Sequence, residues 1–160
     1  MRSGGWRIWI VAGGLCALHF LLRVGFGLDR GVPDFLVLGL LLLSREMRLG
    51  TAAWVGLGLG LCEDAFSVLT FGANAFALAL VAGLASRSRE YFVGDSVLFL
   101  FGYLAAGVWL RRFLYWIVAG ADRAPGVLLL LVEVPISAVY TAAVGLLVVF
   151  VTGAWWETAP

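Results

Sequence analysis

Lysine is absent from this chain of 160 residues; all eleven basic residues are arginine. No mechanism that needs a lysine nucleophile or Schiff base is open to it. Charge of either sign is scarce. Charged residues make up 13% of the chain, against about 25% in soluble domains, and hydrophobic residues 62%, against about 45–50%. A soluble fold of this size has too little interior to hide so much apolar surface, so a bilayer is the expected solvent. The net charge of +1 excludes the concentrated basic face of a nucleic-acid binder. One histidine and two cysteines leave no set of metal ligands at the usual spacings. Cys16 and Cys62 read as small buried hydrophobes, and His19 as a lone packed histidine rather than a metal ligand or proton relay. The serines and threonines lack the histidine and acid that make a nucleophile, and no glycine-rich phosphate loop is present. Neither enzymatic activity nor a cofactor is expected.

What is there is a succession of apolar segments. Six can be drawn: Trp6 to Leu22, Pro33 to Ser44, Thr51 to Leu61, Ala73 to Ala85, Ser96 to Ala119 and Gly126 to Thr152. Five spans are the alternative count. The turns between carry the charges, and no linker or soluble domain interrupts them, so residues 1–160 read as a single polytopic membrane domain. Arg2 and Arg7 before the first segment mimic a signal peptide, but no small-residue cleavage site follows, and an uncleaved first span is expected. Pro33 suits a first helical turn with Asp34 beside it, and Thr51 and Asp95 or Ser96 suit helix caps. The second segment, Pro33 to Ser44, would be only roughly 18 Å long as a helix, against a hydrocarbon core of ~30 Å. The second to fourth segments must therefore be tilted, or shielded by protein or deformed lipid. Trp6 and Trp9 at one end of the chain and Trp155 and Trp156 at the other suit interfacial belts. Placing the N-terminus inside puts six arginines on inner turns against five outside; without the intramembrane Arg111 and Arg112 the ratio becomes six to three.

Small residues recur at four-residue steps, which return to one face of a helix. One row is Ala52, Gly56, Gly60 and Asp64; others are Ala75, Ala79 and Gly83, and Ser137, Thr141 and Gly145. Such rows let helices approach closely in lipid, and they are expected to serve internal packing with one row left for a partner. Asp64 invites two readings. Either it marks a hydrated helix end together with Glu63, or it hydrogen-bonds across a helix junction to Asn74. Glu63, about 100° around the helix, cannot be its partner. Glu133, beside Pro135 and seven residues into the last segment, lacks company in the sequence. An ion pair with Arg111 or Arg112 on the preceding helix is the expected compensation, with snorkelling as the alternative.

From Pro33 to about Arg89 the chain resembles the rod shape-determining MreD family. The matching features are Pro33-Asp34 before a leucine-rich short helix, and the basic turn Arg45-Glu46-Met47-Arg48. The glycine-rich helix through Gly56 and Gly60 into Glu63-Asp64 follows, then the turn Phe71-Gly72-Ala73-Asn74 and an alanine-rich helix closing in Arg87 and Arg89. Ser67-Val68-Leu69-Thr70 departs from the family, which often has a glycine-rich turn there. The resemblance implies an all-α protein of the bacterial inner (cytoplasmic) membrane, six transmembrane helices in a fold like the S components of energy-coupling-factor transporters. It implies a non-enzymatic scaffold of the elongation complex that binds MreC. A RodA-type glycosyltransferase, a class B penicillin-binding transpeptidase and membrane lipids are the other implied partners. A substrate-binding subunit of a vitamin transporter is the alternative, with Asp64, Asn74 and Glu133 supplying its polar groups.

Overall fold

The computed structural model describes residues 6–25, 32–66, 70–88, 97–120 and 127–153, and all regular structure among them is helical. Helix α1 (Trp6–Phe20) ends in a π-helical turn, Leu21–Gly25; then come α2 (Phe35–Glu46), α3 (Leu49–Asp64), α4 (Ala73–Ser88), α5 (Val97–Ala119) and α6 (Val127–Thr152). Each of the six expected segments overlaps one of these helices, and α2, α3 and α4 run two to five residues beyond the expected bounds. Among the described residues three stretches, Trp6–Arg23, Val97–Ala119 and Leu131–Thr152, are long and apolar enough to cross a membrane, and α4 is a shorter apolar helix.

Two helix starts differ from expectation. Asp34 is the N-cap of α2, its side chain accepting from the Val37 N–H at 3.3 Å, so Pro33 stands just outside the helix. Helix α3 begins at Leu49 with no side-chain cap, and Thr51 lies inside it. Asp95, Ser96, Arg89, Trp155 and Trp156 lie outside the described residues.

Helix α2 is the hub. It touches every other α-helix, and each residue from Leu36 to Ser44 is buried. A helix apolar on all sides belongs in a core. Nine of its 12 residues are thus sheathed by protein, which is the shielding that their shortness demanded. The sheath fits because small residues face it. Gly39 lies so near α1 that an added Cβ would come 2.8 Å from the Ala12 carbonyl oxygen. Gly107 of α5 receives Leu41, and Gly145 of α6 receives Leu38.

The α3–α4 pair is built on the row identified in the sequence. A Cβ on Gly56 would overlap the backbone of Leu78, and one on Gly60 the backbone of Ala75. With Gly83 facing Ala53, the two helices run antiparallel at close range. The row Ala52, Gly56, Gly60 and Asp64 is buried along its whole length. It is spent inside the molecule, and so are Ala75 of the second row and Thr141 and Gly145 of the third; Ala79 and Gly83 are half-buried. The expectation of a row left over for a partner is corrected at the α3 face. Of the cysteines, Cys16 packs against the core and Cys62 is exposed, and both are free.

Candidate functional site

The polar side chains collect at one end of the bundle, where α1, α3 and α5 run toward their C-termini and α2 and α4 begin. Arg111 is the centre. It continues the inward stripe Leu100, Leu104, Gly107 and Val108 of α5, so the spacing that packs the helix also turns its guanidinium inward. It donates from Nη1 to Asp34 and from Nη2 to both oxygens of Glu63 at 2.6 Å and to Asn74 Oδ1 at 3.0 Å. Arg23, in the π-helical turn, donates to Glu63 as well. Glu63 and Asp34 are 2% and 4% exposed, so both are compensated inside the protein rather than by solvent.

Asp64 does different work. Its Oδ2 accepts from the N–H groups of Gly72 and Ala75, each at 2.9 Å, and its Oδ1 from the N–H and Nδ2 of Asn74 at 3.2 and 3.0 Å. The first N–H groups of a helix have no partner within it, and the helix dipole places partial positive charge there. Asp64, the last residue of α3, thus caps α4 from outside. Asn74 passes the connection on, giving its amide N–H to Asp64 and its carbonyl to Arg111. At the remaining sides, the Asp34 N–H donates to Thr141 Oγ1 of α6 at 3.4 Å. His19 of α1 sits 4.0 Å from Asp34 and 3.9 Å from Glu63. All six helices send a residue to this cluster.

A half-open cavity of about 250 Å³ adjoins it. The cluster residues His19, Arg23, Asp34, Glu63, Asn74 and Arg111 line it, joined by Leu22, Val32, Pro33, Arg112 and Tyr115. Two buried side-chain nitrogens among the described residues have no hydrogen-bond partner, His19 Nε2 and Arg111 Nε, and both belong to residues of this lining.

The structure joins Asp64 to Asn74, the second of the two readings, and it gathers Asp34, Asn74 and Arg111 at one point. It corrects three other expectations. Glu133 is exposed on α6 and pairs with neither arginine; the α6 residue at the level of Asp34 is Thr141, eight positions further along the helix. The reason is register: α6 starts well beyond the cluster, so its seventh residue has not yet reached it. Glu63 is not a hydrated end marker, because a three-residue step from Gly60 also stays on the α3 face turned to the core. His19 is not alone, since the fold brings two carboxylates to it. Arg112, one residue past Arg111, turns to the exposed side. No group of three or more His, Cys, Asp and Glu side chains suited to a metal ion occurs among the described residues. Comparison of the chain with protein-family models, with characterised proteins and with solved structures gives no match.

Proposed function

We propose that this protein is a membrane-embedded, non-enzymatic scaffold subunit of the bacterial elongation complex, the role implied by its resemblance to the MreD family. It crosses the cytoplasmic membrane with six helices and holds MreC beside the cell-wall synthase. The observation that carries the reading is the cluster at the bundle end. The motif residues of the resemblance, Asp34, Glu63, Asp64 and Asn74, are separate in sequence and meet there, with their polar atoms engaged in joining helices. A rigid frame of fixed helix positions is what a scaffold presents to a partner helix. The exterior supports the membrane setting. Trp6, Ile10, Leu98, Ile136, Leu147 and Val151 are each about half exposed or more, a surface that water does not tolerate at this density.

The 250 Å³ cavity favours a second reading, a substrate-binding subunit of a vitamin transporter. Affinity purification of the tagged chain from native membranes in mild detergent separates the two. Recovery of an MreC-type protein with a single membrane helix supports the scaffold. A bound vitamin, or an accompanying ATPase module, in its place overturns it.

A further inference from the structure

We infer that the outward face of α6 is the docking surface for a membrane-spanning helix of another protein, and that this helix carries an arginine at the level of Glu133. The inference rests on the scaffold reading in requiring a partner, and it adds the face and the chemistry that the partner must bring.

Glu133 is the single charged residue of α6. Six apolar residues precede it in the helix, which puts it roughly 9 Å along the axis. It is exposed, and it pairs with no described residue. Ile136, Tyr140, Leu147 and Val151 follow it along one stripe, at steps of three, four, seven and four, and each is 51–79% exposed. The other side of α6, where Val134, Ala138, Ala142 and Val149 are buried, packs on α5 and α2.

The stripe is apolar except at two places. One is the Glu133 carboxylate; the other is the Tyr140 hydroxyl, two turns on and roughly 10 Å away. A carboxylate on a face turned to lipid gives up hydration with nothing received in return, so it calls for a cation. Arginine fits better than lysine. Its guanidinium keeps its charge in an apolar setting and presents paired N–H groups to a carboxylate, whereas a lysine readily sheds its proton there. A second copy of this chain is the poorer occupant for its α6. That helix offers no cation, so two such faces would set one carboxylate against another. The partner helix must therefore bring an arginine at one level, and an apolar stripe with a hydrogen-bonding group about seven residues away.

The test places a photoreactive benzophenone amino acid at Ile136 or Tyr140 of the full chain in native membranes and identifies adducts by mass spectrometry. The expected adduct is with a protein whose membrane-spanning helix contains an arginine. In Glu133→Gln its yield falls about tenfold or more, the loss of one charge-assisted hydrogen-bonded pair, and Glu133→Asp retains part of it. No protein adduct at either position overturns the docking face. An adduct with a second copy, a partner without a membrane arginine, or an undiminished yield in Glu133→Gln overturns the pairing. Should Glu133→Gln be unstable, a charge exchange decides. Glu133→Arg alone loses the adduct, and changing the partner's arginine to glutamate restores it; failure to restore overturns the pairing. The two readings fail separately. An arginine-bearing helix from a protein other than the MreC type upholds this face and overturns the scaffold reading as stated. Recovery of an MreC-type protein by affinity purification, with no adduct on α6, does the reverse.

Discussion

Arg111 reaches two carboxylates and an amide from three different helices. Removing it strands Asp34, only 4% exposed, without its strong donor. Breaking a buried pair from one side costs about 3–5 kcal/mol, because the remaining charge keeps its desolvation penalty. Arg111→Gln is therefore expected to lower unfolding stability in detergent by about that amount, while Glu133→Gln, at an exposed position, stays within about 0.5 kcal/mol. The pair of measurements decides between the network and the Arg–Glu133 pair that the sequence suggested. That suggestion failed for a physical reason. Hydropathy locates charges along a helix axis to within a turn, but the partner is chosen by which face is turned inward and by where the next helix begins. Arg111 was legible as an inward residue from the stripe Leu100, Leu104, Gly107 and Val108, and Glu63 from its three-residue step past Gly60. Their meeting was not legible, since 48 positions separate them in the chain.

Within one element, glycine plays opposite parts. In α3, Gly58 has open space where a Cβ would go, whereas Gly60 has the Ala75 backbone there. Gly58→Ala should stabilise the helix by about 0.5–1 kcal/mol, through backbone entropy alone. Gly60→Ala should destabilise by about 1–3 kcal/mol, because a backbone cannot swing aside as a side chain does. Paired denaturation curves for the two variants check this, and equal shifts would mean that α3 and α4 are further apart than described. The four-residue rows were readable at this scale, and so was the shortness of α2. What encloses α2 was not: its burial on every side arises from Gly39, Gly107 and Gly145 admitting their neighbours, and the latter two lie far off in sequence.

For the whole molecule, the cluster joins the starts of α2 and α4 and the end of α3 to mid-helix residues of α5 and α6. The long helices were the plainest signal in the sequence, since ~20 apolar residues are needed to cross a bilayer. The convergence of six helices on one charge cluster is a property of the assembled bundle and has no counterpart in local pattern.

The cluster also bears on biosynthesis. Asp34 emerges from the ribosome 77 residues ahead of Arg111, the cation that neutralises it. In a bilayer, α1 and α2 without α5 would carry an acid that lipid rejects, and they are expected to stay in the translocon or at the headgroup layer until α5 is made. A chain truncated after Ser88 is expected to be degraded or extractable by alkaline carbonate, where the full chain stays in the membrane. Supplying α5 and α6 as a separate polypeptide should restore retention, and Arg111→Gln in that second piece should abolish the rescue.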